Sequence, residues 1–262
     1  MSLVPDPILF SIDGPIATIT LNRPTRMNAF DAEMAHAWQR VTKSAVADES
    51  VAAIVLRAEG RAFCAGGDVQ AMAEGNLGED GLAGLAGTIN DGILALLNSS
   101  VPVIAAVQGT TAGGGLGVLL ASDYAIVEEE VRIGSLYADM GLTPDLSVTA
   151  QLARAVGQRR ALQLVLTPRL LSAAEALDWG LVAEVVPVGT AAERAHELAG
   201  AIAGGATSAY GQAKRLIRSQ PTRPLAEQLD EEAATIDAAY RSAEAQARIA
   251  AFAARSRKKA QA

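Results

Sequence analysis

Residues 51–69, VAAIVLRAEGRAFCAGGDV, decide the fold. The apolar run 51–57 reads as a buried strand. The stretch RAFCAGGD (residues 61–68) then ends in two glycines and an aspartate, a turn that opens a helix. Glycine lets a ligand approach the main chain, and a helix start leaves N–H groups without internal acceptors. The same succession of strand, small-residue turn and helix recurs at residues 101–121, VPVIAAVQGTTAGGGLGVLLA. Taken singly, each turn is ordinary α/β architecture. Set side by side, the two would aim two N–H donors at one oxygen, which is an oxyanion hole. A dinucleotide loop fits less well, because GGGLG lacks the third glycine of G-x-G-x-x-G, and there is no Gly-Lys-Ser/Thr phosphate loop.

Working outward, ILFSID and IATITL flank Asp13-Gly14-Pro15 as a hairpin. Asp31 caps a predicted helix to about Ala47, with Met34, Trp38 and Val41 on one face. Residues 101–107 form a third buried strand, residues 116–121 a helix and residues 123–127 a further strand. The glycine-rich, acidic residues 75–87 are expected to form a mobile loop before a helix at 88–98. After Leu146 the pattern is helical apart from the strand-like LVAEVVPV, and SQPTRP precedes two final helices. Strands interleaved with helices, then helices alone, predict α/β layers followed by a helical element.

The 262 residues are 50% hydrophobic, rich in alanine and only 4% aromatic, as suits helices packed through small side chains. A formal net charge of −7 offers nucleic acid or an acidic membrane no long-range attraction. Glycines and Pro102 interrupt the longest apolar region, which argues against a membrane span. The single cysteine, Cys64, excludes an internal disulfide, and with only His36 and His196 beside it no Cys/His metal site is expected. The opening MSLVPDPILF lacks the pattern of a secretory signal, so the expected compartment is the cytoplasm.

Five segments in order carry a resemblance: LNRPTRMNAF, RAFCAGGDV, VPVIAAVQGTTAGGGLGVLLASDYAI, GLTPD and SAAEALDWGLVAEVV. They resemble the crotonase superfamily, the enoyl-CoA hydratases and isomerases, over essentially the whole chain. The resemblance implies a ββα spiral core over residues 1–200 and a helical C-terminal oligomerisation region over residues 201–262. It also implies a homotrimer or dimer of trimers. The implied substrate is an acyl-CoA thioester of fatty acid metabolism, with no separate cofactor. The family's two oxyanion N–H groups fall on Gly67 and Gly114. Arg26 falls at a coenzyme-A-contacting position, and the carbonyls of Phe63 and Ala65 flank the place of adenine and pantetheine. Tyr137 and Leu146 are expected at the substrate, while Lys214 and Phe252 are expected to reach a neighbouring subunit's ligand.

The chain departs from the family at the acid/base positions. The two glutamates of the hydratases fall on Gly117 and Tyr137. Glycine moves no proton, and a phenol with a pKa of about 10 is a poor base at neutral pH. The isomerases of the family carry an aspartate in a similar GLxPD segment, here Asp145, which makes it the expected proton shuttle. Asp145 also suits a helix cap, and the two roles are compatible. DLSVT replaces the isomerases' DGGxT, so Leu146 would narrow the pocket or displace the aspartate. An isomerase is therefore the first expectation, a hydratase (a lyase) with an atypical acid/base the second, and a noncatalytic acyl-CoA-binding protein the third. Cys64 reads as packing, Asp68 as a helix cap, and Glu74, Glu79 and Asp80 as solvated acids.

Overall fold

In the computed structural model, which describes residues 6–75 and 81–260, the chain begins with the hairpin Ile8–Asp13 (β1) and Ile16–Leu21 (β2). Helix Ala32–Ala47 (α1) follows, its first turn capped by the Asp31 side chain accepting from Met34 N–H at 2.9 Å. Then a unit repeats: a strand in one sheet, a short strand in a second, and a helical return. Ala53–Ala58 (β3) and Ala62–Cys64 (β4) lead to Val69–Ala73 (α2) and Gly81–Asn98 (α3). Val103–Val107 (β5) and Thr110–Ala112 (β6) lead to Gly114–Leu120 (α4). Tyr124–Glu128 (β7) and Arg132–Gly134 (β8) lead to Val148–Val165 (α5). Leu170–Ser172 (β9), Ala173–Asp178 (α6), Glu184–Val186 (β10) and Ala191–Ala203 (α7) complete the layers. Thr207–Ser219 (α8), Leu225–Tyr240 (α9) and Ala243–Ala260 (α10) end the described chain.

The larger sheet runs β1-β2-β3-β5-β7-β10, parallel except at the hairpin, and the smaller runs β4-β6-β8-β9 with an antiparallel last pair. The main core lies between these layers and the helices, centred on Trp38, Phe30, Phe63, Ile54, Leu56 and Leu116. Trp38 and Phe30 meet edge to face at 6.0 Å. Alanines 191, 195 and 199 of α7 close the other face of the larger sheet.

The structure refines three readings of the sequence. Each glycine turn is preceded by a three-residue strand that the local pattern did not register, and these short strands form the smaller sheet and complete the ββα units that the resemblance implies. The helix expected at 88–98 is α3, which already starts at Gly81, and Gly92 lets it close on α1. A Cβ there would lie 2.5 Å from Trp38 Cδ1. The division expected between residues 200 and 201 falls inside α7, and the layered core continues into it, with Ile202 packed against the sheet. Glu79 and Asp80 lie outside the described residues. Among the described residues no helix is long and apolar enough to cross a membrane.

Lys214 of α8 shows how the helical end is tied to the core. Its ammonium is buried, donates to Leu96 O at 2.9 Å and Val101 O at 2.7 Å, and pairs with Asp123 at 2.8 Å. Burial, only partly offset by Asp123, holds its pKa below the usual lysine range. This corrects its expected role: Lys214 is a clamp inside its own chain and is not free to reach a ligand. Lys214→Met is expected to lower stability by about 1–3 kcal/mol, because Leu96 O and Val101 O lose their donor while Asp123 keeps its pairing with Arg218 at 2.8 Å. Urea denaturation checks this.

Candidate active site

Strands β4, β6 and β8 are parallel neighbours, so the segments leaving their C-terminal ends meet along one edge of the smaller sheet. After β4 come Ala65, Gly66 and Gly67. After β6 comes Gly113, then Gly114 at the head of α4. After β8 come Ser135, Leu136 and Tyr137. Sheet topology thus gathers three stretches that are far apart in sequence.

The first stretch is pinned from outside. Phe30 N–H donates to Gly66 O at 2.7 Å, and Asp68 N–H donates to Phe30 O at 2.9 Å. In this ladder-like pairing the intervening Gly67 N–H faces away from Phe30. Among the described residues, neither Gly67 N–H nor Gly114 N–H donates to a backbone carbonyl. The two glycines are close: a Cβ placed on Gly114 would lie 3.8 Å from Gly66 C, the atom bonded to Gly67 N. Gly66 makes the approach possible. Its φ is +102°, and a Cβ there would stand 2.9 Å from Gly114 N and 3.0 Å from Ala112 O.

A charged network braces the same turn. Asp68 accepts from Ala71 N–H at 3.2 Å as the cap of α2 and pairs with Arg23 at 3.2 Å and Arg26 at 3.3 Å. Burial opposes its ionisation, but the Ala71 N–H and the two guanidiniums outweigh that and hold the carboxyl below the usual carboxylate range. A carboxylate depressed on folding stabilises above its unfolded pKa, and that contribution is lost as pH falls through the folded value. The melting-temperature gap between the protein and its Asp68→Asn variant is therefore expected to be full at pH 7 and to close below about pH 4, as thermal melts across pH would show.

Sequence reasoning missed two further supports. Asn28 is buried, donates to Glu59 O at 2.9 Å and Ala62 O at 2.8 Å, and accepts from Arg23 N–H at 2.7 Å, fixing the approach to β4. Its signal was a lone amide amid apolar neighbours in MNAF. Arg23 also pairs with Asp31 at 2.6 Å and donates to Ala29 O.

The expected acid/base residues lie along the same edge. Leu146 is buried, with its Cδ1 2.7 Å from the place of a Cβ on Gly114 and its Cβ 2.7 Å from that of a Cβ on Gly117. The backbone of Leu146 thus fills the space into which a side chain at 117 would project. Asp145, the residue before it, is half-buried, and its Oδ1 accepts from Tyr137 Oη at 2.6 Å. The cap of α5 is Ser147, and Val148 N–H donates to the main-chain carbonyl of Asp145 at 2.9 Å, so the carboxylate is not spent on capping. Burial first, and then the Asp145 carboxylate, raise the Tyr137 phenol above its ordinary range, so it is a neutral donor. Its hydroxyl is committed to Asp145.

The other predicted residues separate. Phe63 is wholly buried, which leaves only its main chain for a ligand, and Ala65 is half-buried beside Gly113. Arg26 is exposed beside Asp68 and Gln70. Phe252, 67% exposed on α10, makes no part of this edge within the chain. Cys64 is buried with its thiol pushed up to about 12 by desolvation, which removes it as a nucleophile. His196 is engaged by Thr18 and Ala192 O.

Comparisons with known proteins agree with this arrangement. The model of the enoyl-CoA hydratase/isomerase family matches residues 11–260. The 1,2-epoxyphenylacetyl-CoA isomerase of Escherichia coli (strain K12) is 34% identical over 250 residues, 94% of each chain. The short-chain-enoyl-CoA hydratase of Clostridium acetobutylicum is 33% identical over 211 residues, 80% of each. The crystal structure of an enoyl-CoA hydratase from Polaromonas sp. JS666 superposes with a TM-score of 0.89 at 28% identity, covering 95% of this chain and 97% of that one. The spiral of ββα units, the paired glycine turns and these matches together place the chain in the enoyl-CoA hydratase/isomerase family.

Proposed function

We propose that the protein is an acyl-CoA isomerase that shifts the double bond of an enoyl thioester. Relatives named for isomerisation and for hydration both match it, so its own residues must decide. One observation carries the reading: the backbone of Leu146 occupies the space a glutamate at 117 would need, while Asp145 sits beside it with a carboxylate free of capping. Water addition by a glutamate pair has no residues here. A 1,3-proton shift needs one carboxylate.

The thioester oxygen lies between Gly67 N–H and Gly114 N–H. Asp145 takes a proton from C2 of a 3-enoyl thioester, and the C–H electron pair enters a dienolate whose charge rests on that oxygen. The dienolate then takes the proton back from Asp145 at C4, giving the 2-enoyl thioester. Atoms and electrons balance without a further reactant, and the fixed N–H donors stabilise the dienolate where water is excluded. In this reading Arg26 is a cation for the coenzyme A phosphates, and the carbonyls of Phe63 and Ala65 accept from the adenine and pantetheine.

The test pairs a 3-enoyl-CoA with a 2-enoyl-CoA. Conversion of the first without hydration of the second is expected. Hydration of the 2-enoyl thioester at a comparable rate would establish the hydratase reading, and binding of both without turnover would establish a noncatalytic binder. We further infer a homotrimer, or a dimer of trimers, in which Leu225 and Ile236 of α9, 73% and 71% exposed in the single chain, become covered. Light scattering should then return three or six times the 27.0 kDa chain mass, and a monomer would refute it.

A further inference from the structure

Tyr137 stands where the resemblance places the second hydratase glutamate, but it holds the Asp145 carboxylate instead of replacing one. We propose that Tyr137 is a positioning residue that locks Asp145 in the orientation needed to carry one proton between two carbons. This rests on the isomerase reading.

Side chain and main chain act together. The Tyr137 hydroxyl donates to Asp145 Oδ1 at 2.6 Å. The Tyr137 carbonyl accepts from Met140 N–H at 3.0 Å and Leu142 N–H at 3.1 Å, closing the turn that leads to Asp145. Left-handed backbone brackets the segment, at Leu136 (φ +51°) and Gly141 (φ +68°) before the aspartate and at Leu146 (+47°) and Ser147 (+67°) after it. Non-glycine residues adopt this conformation only when surrounding contacts enforce it. Tyr137 is buried and supplies such a contact.

The chemical consequence follows from which oxygen is occupied. With Oδ1 accepting the hydrogen bond from the neutral phenol, Oδ2 is the oxygen left to accept the substrate proton. A carboxylate held by one oxygen cannot turn over, so the proton it takes at C2 is the proton it returns at C4. Desolvation keeps the phenol neutral, so it stays a donor through the cycle. A loosened carboxylate would rotate, meet water and exchange its proton before returning it.

The experiment compares the full chain with its Tyr137→Phe and Asp145→Asn variants on a 3-enoyl-CoA in deuterium oxide. Tyr137→Phe is expected to lower kcat roughly tenfold, the scale of one lost hydrogen bond to a charged group, with KM within about twofold. It is also expected to raise deuterium incorporation at C4 of the product several-fold. Wild-type kcat and incorporation in Tyr137→Phe would overturn the proposal. So would a loss of kcat at unchanged incorporation with a lowered melting temperature, the mark of a structural role alone. Asp145→Asn separates this failure from that of the isomerase reading: if it keeps its activity, the shuttle itself is wrong; if it is inactive while Tyr137→Phe behaves as wild type, only the positioning role falls.

Discussion

Asp145→Asn is expected to lower kcat for double-bond migration by roughly 10²- to 10⁴-fold, the contribution typical of a positioned acid/base, with thioester affinity nearly unchanged. The substitution is close to isosteric. An amide oxygen can still accept from the Tyr137 hydroxyl, now 2.6 Å from Oδ1, and Val148 N–H keeps the main-chain carbonyl that starts α5. Neither fold nor pocket shape therefore changes, and only the capacity to take up a proton is removed. The two N–H donors at Gly67 and Gly114 can still hold the thioester oxygen, so binding persists. Steady-state kinetics on a 3-enoyl-CoA beside a thermal melt check this, and full activity in a normally folded variant would eliminate Asp145 as the shuttle.

The sequence made the larger sheet legible because its central strands are buried on both faces and read as near-continuous apolar runs, such as AIVL at the start of β3 and VIAAV in β5. The smaller sheet was hidden for the opposite reason. Its strands β4, β6, β8 and β9 are three residues each, too short for any periodicity to register. The glycine turns were found, but what aligns them is the parallel pairing of β4 with β6, a long-range fact that no local pattern encodes. Asp145 was legible only through the family resemblance. Its hydrogen bond to Tyr137 was not, since an irregular segment with Leu136 and Gly141 in left-handed conformations brings the two together across eight positions. Lys214 misled because a lysine on a late helix ordinarily meets solvent. Its partners Asp123, Leu96 O and Val101 O lie about a hundred residues upstream, where only the folded chain can supply them.

Gly117→Glu, which restores in sequence one of the hydratase glutamates, is expected to abolish isomerisation without creating hydration. The Cβ of any residue at 117 would stand 2.7 Å from Leu146 Cβ and 3.1 Å from Leu146 C, well inside the roughly 3.5–4.0 Å at which carbon atoms are in favourable contact. Leu146 cannot yield by a rotamer change, because its backbone is part of the obstruction. Moving that backbone disturbs the left-handed pair Leu146 and Ser147 and, with it, the seat of Asp145. Overpacking of this kind costs about 1–3 kcal/mol, so a lowered urea midpoint should accompany the loss of activity. A second variant separates steric exclusion from missing chemistry. Adding Leu146→Gly removes the side chain and relaxes the positive-φ restriction, letting the segment retreat. Gly117→Glu/Leu146→Gly is then expected to regain most of the lost stability and to be the variant in which slow hydration of a 2-enoyl-CoA first appears. If Gly117→Glu alone folds as well as wild type and hydrates that substrate, Leu146 does not set the reaction, and the choice between isomerase and hydratase rests on the identity of residue 117 alone.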